Sequence, residues 1–341
     1  MAETKRVVLI MAGGSGTRFW PLSTPDLPKQ YLPLAGQRSL IQQTIDRLLP
    51  FVGAPQIHIC STKRQEALLK KQLPDIKNLI FEPIGRNTAA CVMLSVAHLL
   101  RTGTSKDTVI FVFSADSFIG DQKAFLNVLA QAEKTAREEN ALVTFGVVPT
   151  FAHTGYGYVE AKHPSQVSAV ARFLEKPDLK TAEKLIASKN VYWNAGMFAW
   201  TLGNIVAAFE KFCGPTWNSV SAAKTETEIA AVYETLPSVP IDKAVLEKAE
   251  NVWVVPCEID WSDVGSWNSL FELHSKDPNA NVAHGGKTTW LNSTHCLVSA
   301  PAGKEVAVIG VKDIIVVDQG DKLLIVHKDS DQLVKEVVKP H

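Results

Sequence analysis

The chain lacks a charge excess of either sign: 35 Lys and Arg stand against 35 Asp and Glu over 341 residues. A general polyanion binder needs a basic surplus or stripe. Nucleic acid is therefore not an expected partner, although a few placed cations can still hold a small anion. No apolar run approaches the ~20 residues needed to cross a bilayer, so no membrane association is expected. The first apolar stretch, Val7 to Ala12, is too short for a signal-peptide core and runs straight into glycines. Cysteine is scarce: five residues, odd in number, with no CxxC pair. That pattern argues against a disulfide framework or a zinc site and predicts reduced thiols in a cytoplasmic protein. HExxH and GxSxG are absent, and nothing pairs His153 or His163 with a Ser or Cys nucleophile, so hydrolase chemistry has no support. What remains is an ordinary globular composition, 46% hydrophobic and 21% charged, which excludes disorder as the main state.

Through the first two-thirds, short apolar runs alternate with amphipathic stretches. Strands are predicted at Arg6–Met11, Ile57–Ser61, Leu79–Glu82, Val109–Phe113 and Leu142–Val147, with helices at Leu40–Leu49, Gln65–Lys71, Thr88–Arg101 and Lys123–Glu139. Such alternation predicts an α/β fold, a Rossmann-like doubly wound sheet that binds ligands beyond the carboxyl ends of its strands. From Gly155 onward strands are interleaved with Gly, Pro and aromatic residues, at Tyr156–Ala161, Val170–Leu174 and Met197–Trp200. Helices are predicted at Lys180–Ala187 and Glu226–Thr235, and this half completes the same catalytic unit, residues 1–279. Residues 280–341 are β-rich, with turn signals such as Asp318-Gln319-Gly320-Asp321. They predict a small C-terminal all-β domain or a short β-helix, packed on the catalytic domain or on a second subunit of a homodimer.

The strongest chemical signal is Ala12-Gly13-Gly14-Ser15-Gly16-Thr17-Arg18, directly after the first predicted strand. Three glycines in four positions let the backbone turn sharply and present N–H groups to phosphate oxygens. The segment is neither GxxxxGK[ST] nor GxGxxG, which leaves a dinucleotide oxidoreductase without its fingerprint. A glycine turn can be purely structural, but here Arg18 follows at once and Pro28-Lys29-Gln30 supplies a second cation. A guanidinium fork and a mobile ammonium beside an anion cradle suit a triphosphate.

Ser114-Ala115-Asp116 ends the strand at Val109–Phe113, and Trp261-Ser262-Asp263-Val264-Gly265-Ser266-Trp267 holds a second acid among aromatics and glycine. Two carboxylates from distant segments suit Mg²⁺, which takes one or two acids and completes its shell with water and phosphate oxygens; the plain alternative is that each Asp caps a turn. Between them, Gly155-Tyr156-Gly157-Tyr158, Glu175-Lys176-Pro177 and Asn194-Ala195-Gly196-Met197 offer aromatic walls, an acid, a base and an amide. These are groups a sugar phosphate requires, although an adjacent Glu-Lys is often only a solvated pair. Glu82-Pro83-Ile84-Gly85-Arg86-Asn87-Thr88 leads into a helix. Its Asn87 or Thr88 can cap that helix, and the segment can read a base edge.

With these residues in view, the run Ala12 to Ser23 with Pro28-Lys29-Gln30 resembles the nucleotidyltransferase signature of sugar-1-phosphate pyrophosphorylases. The Trp20-Pro21-Leu22-Ser23 continuation is similar to the mannose-1-phosphate guanylyltransferase branch. The segments at Glu82–Ala89, Thr154–Tyr158, Phe173–Pro177, Trp193–Phe198 and Trp261–Trp267 resemble that branch in the same order, so the likeness spans about residues 6 to 338. The resemblance implies a GTP-dependent enzyme that joins GMP to α-D-mannose 1-phosphate, giving GDP-mannose and pyrophosphate, with Mg²⁺. It implies phosphate contacts at Arg18 and Lys29, metal acids at Asp116 and Asp263, sugar-phosphate contacts at Glu175, Lys176 and Asn194, and guanine reading by Glu82–Thr88. One departure is Ser117, where the family commonly has His. The chain stops soon after the β-rich segment, so no phosphomannose isomerase domain or activity is expected. A different sugar 1-phosphate or NTP, or a non-catalytic sensor of nucleotide sugars, is the alternative reading.

Overall fold

The structure, a computed structural model, describes residues 5–14 and 16–338. The chain packs as two compact units. One holds the chain up to Gly13 with Ile45–Ala115 and Ile119–Trp261; the other holds Gly14–Thr44, Asp116–Phe118 and the chain from Ser262 onward.

The first unit is built on nine strands among the described residues. They are β1 (Arg6–Met11), β2 (Ile57–Thr62), β3 (Asn78–Glu82), β4 (Val109–Ser114), β5 (Leu142–Val147), β6 (Gly157–Ala161), β7 (Ser168–Glu175), β8 (Val191–Thr201) and β9 (Val252–Cys257). Their order across the sheet is β3-β2-β1-β4-β8-β5-β9-β7-β6, with β8 also pairing β6. β1, β2, β3 and β4 run parallel, as uninterrupted runs such as Val8-Leu9-Ile10 demand. All three of those side chains are fully buried, and a strand buried on both faces needs no polar alternation. β8 lies antiparallel to both β4 and β5, which makes the sheet mixed.

Helices along the chain are α1 (Leu40–Leu48), α2 (Glu66–Gln72), α3 (Asn87–Arg101), α4 (Gln122–Glu138), α5 (Leu179–Ile186), α6 (Leu202–Ala222), α7 (Glu226–Thr235) and α8 (Trp267–Leu273). Local chemistry starts several of them. The Asp121 carboxylate accepts from Ala124 N at 2.8 Å ahead of α4, and Thr225 and Glu228 close a capping box on α7, satisfying N–H groups that the first turn leaves open. α3 and α6 bury Val92, Val96, Ile205, Phe209 and Trp217 in one core. Each such side chain contributes about 1.5–3 kcal/mol when fully buried.

In the second unit, β10 (Val282–Leu291), β11 (Leu297–Ile309) and β12 (Ile314–Asp318) stack in parallel, and β13 (Leu323–His327) closes antiparallel on β12. Val282, Leu297 and Ile315 stand in register one above another. That repeat is the β-helix form of a C-terminal all-β segment. The inward residues do not form a core alone. Phe19, Leu32, Leu34 and Leu40 from early in the chain share it with Val264, Trp267, Phe271, Val282, Leu297, Ile315, Val317, Leu324 and Val334. Among the described residues, no helix is long and apolar enough to cross a membrane.

Candidate active site

In the second unit the side chain of Lys29 gathers three segments. Its Nζ lies 2.9 Å from Asp116 Oδ2 and donates at 2.8 Å to the carbonyl oxygens of both Asp263 and Val264. The lysine is 5% exposed, so this ammonium works in a low-dielectric setting where each contact counts for more than in water. Arg18 donates from Nη1 to the Gly265 carbonyl at 2.9 Å. Both cations therefore hold the 263–265 turn, and Lys29 links the Asp116 carboxylate to the backbone of Asp263.

The turn supports itself as well. Asp263 Oδ1 accepts from Gly265 N at 3.0 Å, and the Ser266 side chain caps α8 by accepting from Ser269 N. Asp331 Oδ2, from near the C-terminus, accepts from Asn268 N at 3.0 Å and holds the first turn of α8. Asp116 and Asp263 each offer carboxylate oxygens, the hard donor type that a divalent cation such as Mg²⁺ takes. Ser117, at the departure from the family pattern, is buried.

Gly16 adopts φ +59°, and a Cβ there would collide with Lys29 Cβ. Only glycine satisfies both the left-handed backbone and the contact. Gly16 precedes a short 3-10 turn, Thr17–Phe19, that aims Arg18. Gln30 Nε2 donates to the Gly14 carbonyl at 3.0 Å, so the Pro28-Lys29-Gln30 triplet braces the glycine loop through two side chains. Ser15 lies outside the described residues.

In the first unit, Ala12 carries the chain out of β1 under restraint from β2. Its N–H donates to the Cys60 carbonyl at 2.7 Å, and its own carbonyl accepts from Ser61 Oγ at 3.1 Å. Gly13 follows, where a Cβ would stand 3.2 Å from Glu82 Oε2. Glu82 is 3% exposed. Its Oε1 accepts from Tyr233 OH at 3.3 Å, and burial pushes its carboxyl up to about 7. Cys60 and Cys91 place their sulfurs within 4.8 Å of the Glu82 carboxylate. The Cys91 thiol is driven well up by the neighbouring Cys60 and by burial. Ser114 closes β4 and pairs with Met11, beside the outlet of β1.

The 86–88 segment differs from a simple capped helix start. Asn87 is already the first residue of α3, at φ 68°, and its Oδ1 accepts from Thr88 N at 2.8 Å. The Thr88 hydroxyl accepts from Ile241 N at 2.8 Å. Arg86 donates from Nε and Nη2 to the carbonyls of Tyr233 and Glu234, each at 2.8 Å. Two of its donors thus tie down the C-terminal end of α7.

Farther along, Tyr156 stacks on His153 with ring centroids 3.9 Å apart and meets Trp193 and Trp261 edge-on at 5.2 and 5.5 Å. Gly155 N donates to His153 Nδ1 at 3.1 Å. The Tyr156 carbonyl accepts from Lys176 N at 3.2 Å. Lys176, at φ 50°, turns back so that its Nζ lies 2.8 Å from Glu175 Oε1. Glu175 Oε2 sits where a side chain on Gly157 would stand, and Asn194 lies beside it on β8 next to Gly196, at φ 66°. Within this unit the structure brings together Tyr156, Glu175, Lys176, Asn194 and Gly196, along with two residues to which the sequence assigns no site role. His153 shares the aromatic wall, and Asp242 accepts from Asn194 Nδ2 at 2.7 Å. Nothing at Ile241-Asp242-Lys243 marks a site in the sequence, because the partner of Asp242 is an amide 48 positions earlier.

A sheet of this order with a glycine loop leaving its first strand is the kind of α/β scaffold on which phosphoryl-transferring enzymes are built. The Nucleotidyl transferase family model matches residues 7–280, and this chain belongs to that family. Residues 286–340 match the model for the MannoseP isomerase/GMP-like beta-helix domain. The chain is 37% identical to the alginate biosynthesis protein AlgA of Pseudomonas putida, over 98% of this chain and 71% of that protein. It is also 37% identical to a mannose-1-phosphate guanylyltransferase of Salmonella muenchen, over 98% of this chain and 73% of that protein. A crystal structure from Thermus thermophilus, named mannose-1-phosphate geranyltransferase, superposes with a TM-score of 0.89 at 35% identity and covers 98% of both chains. The fold is that of the nucleotide-diphospho-sugar transferases with an added C-terminal β domain.

Proposed function

We propose that this chain is an enzyme that transfers GMP from GTP to α-D-mannose 1-phosphate, giving GDP-mannose and pyrophosphate. The relatives' names supply the substrates, and the observation that carries the chemistry is Lys29 held between Asp116 and the Asp263–Val264 carbonyls. Residues 1–279 are assigned to catalysis and 280–341 to the β-rich domain, with a second copy of the chain as the expected partner.

The reaction requires no protein nucleophile. A phosphate oxygen of the sugar phosphate attacks the α-phosphorus of GTP. The bond from that phosphorus to the β-phosphate bridging oxygen breaks in line, and pyrophosphate leaves with the bonding pair. Both reactants are anions, so the barrier lies largely in bringing like charges together in one orientation. Holding a reacting pair in place is worth about 7–11 kcal/mol. Arg18 and Lys29 are assigned to the phosphates, with the N–H groups of Ala12 to Thr17 around them. Glu82, Arg86, Asn87, Thr88 and Ser114 are assigned to the nucleotide, and Gly155, Tyr156, Glu175, Lys176, Asn194 and Gly196 to the sugar phosphate.

Nucleotidyl transferases generally work with a divalent metal. Asp116 and Asp263 are the residues assigned to hold it, as Mg²⁺. When bound there, the ion supplies Lewis-acid withdrawal from phosphate oxygens and a template for both substrates. Pyrophosphate release measured for four NTPs against several hexose 1-phosphates tests the reading. GTP with mannose 1-phosphate is expected to dominate; a clear preference for another nucleotide or sugar moves the chain to a sister activity, and no release in any pair overturns it.

A further inference from the structure

Asn194 is fixed from three sides. Its Oδ1 accepts from Thr144 Oγ1 at 2.9 Å and from Gly196 N at 3.3 Å, and its Nδ2 donates to Asp242 Oδ1 at 2.7 Å. A side-chain amide carries two N–H donors, and the second one here has no partner among the described residues. Asp242 is 9% exposed. Among the described residues no cation lies within ion-pair distance of it; the charged groups that bear on it are Glu175 and Glu247. A buried carboxylate with no cation is costly to keep, and nothing in the roles assigned above accounts for it.

We propose that Asp242 is a positioning residue for the sugar phosphate: its carboxylate holds the Asn194 amide so that an N–H, and not the carbonyl, meets the hexose. The inference rests on the reading of Asn194 and Glu175 as sugar contacts. If the amide were turned over, its carbonyl would oppose the Asp242 carboxylate and its NH₂ would oppose the Gly196 N–H. Both alternatives repel, so a single orientation survives. A fixed donor at that point selects sugars that present a hydroxyl oxygen there. It discriminates against those that do not, because an unmet buried donor costs free energy.

The backbone around Asp242 fits this task. Residues Asp242–Leu246 form a π turn, in which Glu247 N donates to the Asp242 carbonyl at 2.9 Å. Such wide turns recur at functional sites because they re-aim a side chain. Just before it, Ile241 N donates to Thr88 Oγ1, and Ala89 N donates to the Val239 carbonyl at 3.2 Å. One short segment therefore carries the Asn194 clamp and braces the start of α3, where the nucleotide residues sit. Burial and the Glu175 charge push the Asp242 carboxyl up to about 6, so near neutrality it remains an acceptor for the amide.

The test is steady-state kinetics of wild type, Asp242→Asn and Asp242→Ala, with thermal melts of each. Asp242→Ala is expected to raise KM for mannose 1-phosphate at least tenfold while KM for GTP stays within twofold. It should also narrow the kcat/KM ratio between mannose 1-phosphate and glucose 1-phosphate. Asp242→Asn keeps an oxygen acceptor for Asn194 Nδ2 and is expected to recover most of the loss. Unchanged sugar KM in Asp242→Ala overturns the inference while leaving the activity standing. An equal rise in both KM values with a lowered melting temperature in both variants also overturns it, since packing alone would then explain the residue. A wild type that releases no pyrophosphate in any substrate pair overturns the functional reading and this inference together.

Discussion

Replacing Lys29 by Met keeps the apolar stem of a side chain that is 5% exposed and removes only the ammonium. Two charge-assisted hydrogen bonds, to the carbonyls of Asp263 and Val264, disappear along with the ion pair to Asp116. Each charged hydrogen bond contributes about 1.5–3 kcal/mol. The Asp116 pair adds less, because that carboxylate's side chain is 36% exposed. A net stability loss of about 3 kcal/mol is therefore expected, which at about 2.1 cal/mol/K of unfolding entropy per residue lowers Tm by about 4 °C when the 341 residues unfold together. Catalysis should suffer more than stability. Losing one preorganised charge in the transition state costs on the order of 3–4 kcal/mol, so kcat should fall by at least ~100-fold on that scale. A coupled pyrophosphate assay at saturating GTP and mannose 1-phosphate reads kcat, and differential scanning calorimetry reads Tm. Near-wild-type turnover in a protein whose Tm has dropped as expected would refute the reasoning, because the lysine would then be a strut and nothing else.

Asp263→Ala should also lower turnover by at least ~100-fold, with a melting curve close to wild type; unchanged turnover at limiting Mg²⁺ would remove the acid from the metal assignment. Gly16→Ala forces a Cβ onto Lys29 Cβ in a left-handed backbone. It is expected to cost at least about 1 kcal/mol of stability and most of the activity, and an active, equally stable variant would contradict the contact. Glu82 titrates at about 7 in the folded chain against an ordinary 4.5. The folded state thus holds that proton more tightly, and the stability it contributes is full below about 4.5 and is lost as pH rises through about 7. Glu82→Gln removes this dependence, so urea melts should show wild type losing ground to the variant across that interval, by on the order of 3 kcal/mol at most. A difference that stays flat with pH, or grows in the other direction, would show that burial does not govern this carboxyl.

Much of the sheet was legible because its strands are buried on both faces. Val8 to Ile10 and Val109 to Phe113 leave no exposed position to break the apolar run, and the predicted bounds of β1 to β7 differ from the observed ones by at most two residues, whereas β8 starts six residues before the predicted Met197. α6, Leu202–Ala222, carried the opposite signals. Gly214-Pro215 sits inside it and Cys213 departs from helical geometry at φ −135°. The helix persists because Thr201 caps it, accepting from Asn204 N at 3.1 Å, and because Phe209 and Trp217 are buried on its inner face. β9, Val252–Cys257, contains Pro256, a residue that argues against a strand in the middle of a sheet. β11 absorbs two segments that read as separate strands, Cys296–Val298 and Val306–Ile309, across Ala300-Pro301-Ala302-Gly303. For the candidate site, cations and acids were visible as residue types at a strand's end. The bonds that give them direction were not, since Lys29 meets backbone carbonyls some 235 residues away and carbonyls have no sequence signature. Asp242 was hidden for the same reason: its partner is an amide 48 positions earlier.

The shared interior of Phe19, Leu32 and Leu34 with Val282, Leu297, Ile315 and Val334 has a consequence for how the molecule is born. On a ribosome, the arm that bears Arg18 and Lys29 emerges about 300 residues before the last of its apolar partners. At about 5–20 residues per second that interval is roughly 15–60 s. Through that time the arm's hydrophobic seat is incomplete, and for the first ~235 residues of it the two cations have no turn to grip. Residue 265 must be made before either of them can be aimed.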